Sequence, residues 1–384
     1  MSRDAMVRVL VVLGTRPEAI KLAPVILELG RRPGIELAVC STGQHREMLD
    51  QVLELFAIEA DFELDVMRPN QDLAGLTGRL LEGISGVLDR FRADVVLVQG
   101  DTTSCFAGSL AAFYREITVA HVEAGLRTRK RRSPFPEEVN RRFTGLLSDF
   151  HFAPTEIAAR NLRDDQVPAG RIFVTGNTVI DALHHVADRQ SDPAEDARLA
   201  AWAGRELGLD PDRRWILVTG HRRENLGAAM EDSFRGIRRV AESIPDVEVV
   251  YPVHLNPKVR KSAQGLLEGC DRVHLVEPVD YYQLVYLLRR VVLVITDSGG
   301  IQEEAPTFGK PVLVTRDTTE RPEGVHAGVA RLIGTDGAAI ERAAVELLTD
   351  AAAYRAMAAA TNPYGDGSAA RQIADVLLRE ADRS

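Results

Sequence analysis

The chain has 384 residues, with 47 Lys and Arg against 56 Asp and Glu, and a formal net charge of −9. This acidic balance argues against a nucleic-acid-binding protein, because neutralising a phosphate backbone needs clustered positive charge. Hydrophobic residues make up 45% and charged residues 27%, which is typical of a globular protein, and the length predicts two domains.

No membrane or export signal is recognisable in the sequence. A run of about 18 apolar residues, which a spanning helix needs, is not found, and the start, MSRDAMVRVLVVLG, leads directly into a strand pattern. We therefore expect a cytoplasmic protein with no membrane partner. Cys40, Cys105 and Cys270 are far apart and lack CxxC spacing, so neither a disulfide framework nor a metal site is expected.

Short apolar runs alternate with amphipathic helical segments along the chain, which predicts parallel strands joined by helical crossovers. The first half contains predicted strands at 7–14, 35–41, 93–100, 117–123, 149–153 and 171–176. After a polar segment at 177–197, which we interpret as a linker, the pattern resumes at 214–220, 248–254, 272–278, 291–297 and 311–316. Each run is almost continuously apolar, as expected where both faces of a sheet are covered.

This pattern predicts an α/β protein with two doubly wound Rossmann-like domains facing a cleft. The expected boundaries are 1–180 for the N-terminal domain and 181–367 for the C-terminal domain, with a final helix at 368–384 able to cross back onto the first domain. Such sheets bind ligands at the carboxyl ends of their strands.

The first strand ends in LGTRPEAIK, which places Arg16 and Lys21 at the opening of a helix. Free N–H groups and two cations there favour an anion site, although a solvated basic turn is the alternative. The loop is not GxGxxG, so a bound dinucleotide is not indicated.

Three further strand ends in the first half carry carboxylates. They are Asp101 in QGDTT, Glu123 in HVEAGLRT and Glu137 in PFPEEVNR, where Arg141 follows one turn later. Each is individually explained as a helix cap or a helix-dipole partner. Together, three carboxylates converging on one sheet edge favour acid/base chemistry at a neutral carbon.

The second half repeats the strand-turn-helix pattern twice. VTGHRREN places His221 beside two arginines, a set suited to a phosphate. DSGGIQEE places Ser298, Gly299 and Gly300 where the backbone can approach a diphosphate, with Glu304 one turn on to accept bonds from a ribose diol. The alternative is a glycine turn needed only for positive φ.

From residue 8 to about residue 335 the chain resembles the non-hydrolysing UDP-N-acetylglucosamine 2-epimerases, on the ordered motifs GTRPEAIK, GQHREML, QGDTT, HVEAGLRT, PFPEEVNR, VTGHRREN, DSGGIQEEAPTFGKPVL and TTERPEG. The resemblance implies the two-domain GT-B fold, a homodimer, and interconversion of UDP-GlcNAc and UDP-ManNAc without a cofactor. It implies that UDP is eliminated first, giving 2-acetamidoglucal, because expelling UDP makes the C2 hydrogen acidic. A hydrolysing epimerase, a GT-B glycosyltransferase and a non-catalytic UDP-sugar sensor are alternatives, and the three carboxylates favour epimerisation.

The resemblance also assigns roles at matching positions. For the substrate it implies Arg16 and Lys21 at the phosphates or sugar, Ser298 to Gly300 at the diphosphate, Glu304 at the ribose and Arg321 at the ligand. For catalysis it implies Asp101, Glu123 and Glu137 as acid/base carboxylates, Arg141 supporting them and His221 stabilising the departing diphosphate.

Two departures from the family pattern affect binding. Val279 and Leu284 replace a Gln and an aromatic residue near the base, so uracil contacts are expected to differ. A second, regulatory UDP-GlcNAc site would use Gln44, Arg222 and His254, all present, but Glu47 replaces a Gln there. We expect this carboxylate to weaken regulation by like-charge repulsion, unless Arg46 or Arg68 neutralises it.

Overall fold

The computed structural model describes residues 6–43, 46–68, 71–220, 222 and 225–381. The chain forms two compact units: unit 1 consists of Met1–Ala182 and Tyr364–Ser384, and unit 2 consists of Leu183–Pro363. Each unit is built around one parallel β-sheet with helical crossovers.

The sheet of unit 1 has seven strands: β1 Val7–Leu13, β2 Ile35–Ser41, β3 Phe62–Glu63, β4 Val95–Gln99, β5 Thr118–Val122, β6 Phe150–Ala153 and β7 Ile172–Val174. Their spatial order is β3-β2-β1-β4-β5-β6-β7. The connections therefore reverse direction between β1 and β4, which is the point where doubly wound sheets bind ligands. The turns after β1 and β4 lie side by side at this switch point.

The helices that begin along this part of the chain are α1 Arg16–Leu29, α2 Arg46–Leu55, α3 Leu73–Phe91, α4 Thr103–Phe113, α5 Glu137–Leu147, α6 Glu156–Asp164 and α7 Thr178–Arg189. A single 3₁₀ turn, Ala169–Arg171, precedes β7. The last five residues of β1 are buried, because helices cover both faces of the sheet.

Unit 2 has a six-stranded sheet: β8 Arg214–Thr219, β9 Val247–Pro252, β10 Val273–Val276, β11 Leu293–Thr296, β12 Val312–Val314 and β13 Ala330–Leu332. Its order is β10-β9-β8-β11-β12-β13, so the switch point lies between β8 and β11. The helices are α8 Pro193–Glu206, α9 Ala228–Ser243, α10 Pro257–Leu267, α11 Tyr281–Arg290, α12 Gly299–Glu304, α13 Pro322–His326, α14 Gly337–Thr349 and α15 Ala351–Ala358. A 3₁₀ turn, Ala305–Phe308, directly follows α12.

The last helix, α16 Ala369–Ala381, belongs to unit 1 and packs against α1. Asp375 of α16 forms an ion pair with Arg32 at 2.9 Å. At its start, the Ala370 amide donates to Oδ1 of Asp181 at 2.9 Å. The chain thus returns to unit 1 after completing unit 2.

The two doubly wound parallel sheets confirm the predicted α/β class. The segment 177–197, interpreted as a linker, contains the boundary between the two units at residues 182 and 183, and it is helical, since α7 and the start of α8 occupy it. Its polar residues cover one face while Ile180, Leu183 and Val186 are buried on the other. No helix in the described part of the chain is long and apolar enough to cross a membrane.

Candidate active site

The turn between β1 and α1 is closely packed against the start of α4. A Cβ at Gly14 would lie 2.1 Å from Oγ1 of Thr42 and 2.6 Å from Oγ of Ser104, so only glycine fits there. Thr15 caps α1 and forms a reciprocal capping box with Glu18, a buried residue. Packing therefore requires glycine at position 14, and the capping box stabilises the first turn of α1.

The carboxyl group of Glu18 joins this turn to the turn after β4. Its Oε2 accepts the Gly14 amide at 3.0 Å and the Thr15 amide at 2.8 Å, and its Oε1 accepts the Thr102 hydroxyl at 2.5 Å. Burial raises the pKa of Glu18 to about 7, although these hydrogen bonds oppose the rise. A group that titrates near neutral pH therefore lies at the switch point of the sheet.

Lys21 and Glu123 form a buried ion pair beside this turn. The Lys21 ammonium lies 2.7 Å from each carboxylate oxygen of Glu123, and the two side chains are 15% and 5% exposed. The Gln99 amide also donates to Oε2 of Glu123, and the Asn177 amide donates to Oε1 at 3.2 Å. The structure thus places the charge of Lys21 against a predicted catalytic carboxylate.

Asp101 is bound by Arg141 of α5, whose Nη2 donates to Oδ2 of Asp101. The residue that caps α4 is Thr102, which accepts the Cys105 amide at 3.0 Å, so interpreting Asp101 as a helix cap is wrong. Nη1 of Arg141 also lies 3.6 Å from Oε2 of Glu138. One arginine thus links the turn after β4 to the start of α5.

Glu137 is the first residue of α5 and is half-buried. Within the described part of the chain, its Oε2 is buried without a hydrogen-bond partner. The three predicted carboxylates are therefore held differently: Glu123 by several donors, Asp101 by an arginine, and Glu137 by no donor at one of its oxygens.

Two buried side chains, Cys105 and His121, lie near these carboxylates. Burial raises the pKa of the Cys105 thiol well above its usual value, with Glu18, Asp101 and Glu123 each contributing repulsion. His121 donates from Nε2 to the Gly100 carbonyl at 2.7 Å, and burial lowers its pKa to about 3. The His121 ring is therefore neutral and fastens the turn that carries Asp101.

In unit 2 the turn after β11 begins α12 at Gly299. Neither Gly299 nor Gly300 has a positive φ, so the interpretation of a turn that requires this conformation is wrong. A Cβ at Gly300 would lie 3.8 Å from Oε1 of Glu304, which is a buried residue, and a Cβ at Gly299 would lie 3.8 Å from Nη2 of Arg222. The glycines thus lie beside the carboxylate predicted to bind ribose.

The neighbouring turn after β8 is held by Asp297, whose Oδ2 accepts the Arg222 amide at 2.9 Å. His221 and Gln44 lie outside the described residues, as does the side chain of Glu47. Arg321 donates from Nε to Glu303, an ion pair in which the Glu303 side chain is 2% exposed. The cation predicted to contact the ligand thus already has a carboxylate partner.

Arg16 is partly buried at the start of α1, with no ion pair to another described residue. No three His, Cys, Asp or Glu side chains in the described ranges converge in a way that could hold a metal ion. Sequence reasoning missed the polar residues that hold the predicted ones, namely Glu18, Gln99, Asn177, Asp297 and Glu303. Four of them lie within or directly beside the quoted motifs, which is the signal that could have found them.

A family profile and two similar proteins point to the same family. The sequence profile described as UDP-N-acetylglucosamine 2-epimerase matches residues 27–378. The chain is 53% identical over 371 residues to the UDP-N-acetylglucosamine 2-epimerase of Yersinia pestis, covering 96% of this chain and 98% of that protein. It is 51% identical over 370 residues to the enzyme of the same name in Escherichia coli K12, with the same coverage.

The crystal structure of UDP-GlcNAc 2-epimerase from Neisseria meningitidis bound to UDP-GlcNAc is also similar. It superimposes with a TM-score of 0.90 at 48% identity, covering 97% of this chain and all of that one. The two doubly wound sheets match this GT-B-type architecture. The chain belongs to the UDP-N-acetylglucosamine 2-epimerase family.

Proposed function

We propose that the protein interconverts UDP-GlcNAc and UDP-ManNAc in the cytoplasm, keeping the sugar attached to UDP in both products. The observation that supports this proposal is that Glu123 contacts Lys21 of α1, and Asp101 contacts Arg141 of α5, the helix that begins at Glu137. A protein that only bound a UDP-sugar would gain nothing from several carboxylates near the sugar. The similar protein of known structure that binds UDP-GlcNAc supports the choice of substrate.

The reaction starts from a C2 hydrogen that is barely acidic. Breaking the C1–O bond leaves its electron pair on the UDP β-phosphate and develops positive charge at C1, which acidifies C2. A carboxylate then takes the C2 proton, and the C2–H electron pair forms the C1=C2 bond of 2-acetamidoglucal. Adding UDP back to C1, with a proton delivered to the opposite face of C2, gives the epimer. No net oxidation occurs, so the proposal needs no redox cofactor.

The chain supplies groups of two kinds for these steps. In unit 1, carboxylates stabilise the charge at C1 and exchange protons at C2. Asp101 and Glu137 suit proton exchange, because one oxygen of Glu137 has no partner in the described structure and Asp101 retains 26% exposure. Arg141 keeps Asp101 oriented.

The second kind binds the nucleotide. In unit 2 we assign the diphosphate to the turn formed by Ser298, Gly299 and Gly300 and to His221, and the ribose hydroxyls to Glu304. In unit 1 we assign Arg16 and Lys21 to the phosphates or the sugar, and Lys21 contacts the predicted catalytic carboxylate Glu123. Arg321, which is paired with Glu303, is assigned to contact the ligand in unit 2.

The test is to incubate the pure protein with UDP-GlcNAc in D₂O, without added nucleotide cofactor or metal, and to record proton spectra with time. We expect UDP-ManNAc to form and deuterium to enter C2 of both epimers. Accumulation of free ManNAc and UDP would show the hydrolysing reaction instead. Absence of both product and deuterium would refute the epimerase proposal.

We also propose that the protein acts as a homodimer formed through α4 and α5. These helices pack together, with the rings of Phe106 and Phe143 5.7 Å apart. Large apolar side chains remain exposed on them, including Phe113 at 55% and Leu146 at 81%. Sedimentation equilibrium should give a dimer for the wild type and a monomer for Leu146→Glu. A monomeric wild type would refute the dimer.

A further inference from the structure

Glu123 receives more hydrogen bonds than the other two predicted catalytic carboxylates. Its Oε1 accepts from Lys21 at 2.7 Å and from Asn177 at 3.2 Å, and its Oε2 accepts from Lys21 at 2.7 Å and from Gln99. These donors come from α1, from the last residue of β4 and from the residue before α7. An ionised carboxylate can accept a hydrogen bond from each of these donors. A protonated carboxyl group would instead point its O–H at one of the N–H groups.

The two amides are themselves fixed. Oδ1 of Asn177 accepts the Val179 amide at 3.2 Å, which turns its NH₂ group towards Glu123. The Asn177 backbone amide donates to the Tyr364 carbonyl at 2.6 Å. Gln99 is 3% exposed at the end of a central strand. Neither side chain can turn away without leaving a buried amide unsatisfied.

The backbone at Glu123 is equally constrained. Its φ of 61° lies in the left-handed region, where a residue other than glycine is uncommon. This conformation directs the chain from β5 into the following turn, which carries Gly125 at a φ of 94°. A non-glycine residue held there indicates that its surroundings maintain a specific side-chain position.

Among the described residues, Lys21 forms an ion pair with Glu123, and two titratable side chains nearby are uncharged. The thiol of Cys105 on α4 has a pKa well above its usual value, and His121 on β5 has a pKa of about 3, in both cases mainly because of burial. Both are therefore uncharged at neutral pH. Lys21 on α1 is the cation that contacts Glu123.

We propose that Gln99 and Asn177 are positioning residues that, with Lys21, hold Glu123 in one orientation as a permanent carboxylate. Resting on the proposed epimerisation, this assigns Glu123 to stabilising the positive charge at C1. Proton exchange at C2 then falls to Asp101 and Glu137. The amides contact Glu123 rather than substrate, so their effect on the reaction passes through this one carboxylate.

The test uses Gln99→Met and Asn177→Leu, which remove an amide donor at nearly constant volume. Gln190→Met is the matched control, because Gln190 is fully buried in unit 2 and donates to the Tyr282 carbonyl. Glutamate ¹³Cδ spectra, with the Glu123 signal assigned from Glu123→Gln, report its ionisation independently of activity. We expect the Glu123 carboxylate to become protonated at a lower pH in the wild type and in Gln190→Met than in the two site variants.

Kinetics supply the second readout. Losing one hydrogen bond to a charged group should lower kcat about ten- to a hundred-fold in each site variant. UDP affinity should remain within about three-fold, and the acidic limb of kcat/KM should move to higher pH. The control should keep wild-type kinetics.

A Glu123 signal that titrates identically in wild type and both site variants would overturn the positioning role, whatever the activity. Equal losses of kcat and UDP affinity, with an unmoved pH profile, would also overturn it, since a purely structural defect gives that result. If the wild type does not epimerise UDP-GlcNAc, the proposed function fails while the ¹³C measurement still decides the positioning role.

Discussion

Replacing Glu18 by Gln should remove a pH dependence from the stability of unit 1. Glu18 is buried, and burial raises its pKa from 4.5 to about 7. A Gln at this position is neutral at every pH. Its carbonyl oxygen could still accept the amides of Gly14 and Thr15, and its NH₂ group could donate to Thr102. The substitution therefore removes the titration while preserving the contacts.

The magnitude follows from linkage between proton binding and folding. Between pH 4.5 and about 7 the folded state keeps a proton that the unfolded state releases. Each pH unit in this window lowers the free energy of unfolding by about 1.4 kcal/mol, giving a total of roughly 3 kcal/mol. Glu18 therefore contributes its full stability below pH 4.5 and loses it as the pH rises through about 7.

Hydrogen exchange of the β1 and β4 amides, corrected for the intrinsic pH dependence, measures the free energy of opening unit 1. The difference between wild type and Glu18→Gln should shift by about 3 kcal/mol across that window, with the wild type losing stability as the pH rises. A ¹³Cδ titration of Glu18 should give a midpoint near neutral pH. A constant difference, or a midpoint close to the usual value of a glutamate, would refute the reasoning.

Four further substitutions test the predicted site and the residues that support it. Asp101→Asn and Glu137→Gln should each lower kcat by about 10²-fold or more while calorimetry shows UDP affinity within a few-fold; parallel loss of UDP binding would mark the residue as structural. Arg141→Met leaves two carboxylates without their shared cation and should destabilise unit 1 by about 3 kcal/mol, and an unchanged Tm would contradict this. Gly125→Ala should destabilise strongly, because its Cβ would lie 2.3 Å from a backbone oxygen of α6. The exposed control Gly78→Ala, with open space around it, should instead stabilise α3 by about 0.5–1 kcal/mol, as thermal unfolding will show.

The sheets could be predicted from the sequence because strands covered on both faces leave nearly continuous apolar runs. β3 and β13 could not be predicted, since their sequences FE and ARL lack the continuous apolar run that identifies the similarly short β7 and β12. Segment 177–197 contains the boundary between the units, but its helices could not be predicted because an amphipathic helix with one buried face resembles a polar segment. An apolar run therefore predicts even a short strand, whereas β3 and β13 are defined by pairing with a neighbouring strand.

The predicted site residues lie at or shortly after the ends of strands, and the sequence pattern identifies those strands. The residues that hold them are distant in sequence: Gln99 and Asn177 are 24 and 54 positions from Glu123, and Glu18 is 84 positions from Thr102. From the sequence alone, Glu18 is an ordinary capping-box residue. Its burial and raised pKa arise only once the turns after β1 and β4 meet, which no local pattern encodes.

The elimination mechanism is tested most directly by the fate of the oxygen that bridges C1 of the sugar and the β-phosphorus. UDP-GlcNAc labelled with ¹⁸O in this bridge would be incubated with the enzyme and followed by ³¹P spectroscopy. If the C1–O bond breaks and re-forms, the label should move to the non-bridging oxygens of the β-phosphate at least as fast as UDP-ManNAc appears. Formation of UDP-ManNAc with the label still confined to the bridge would contradict elimination.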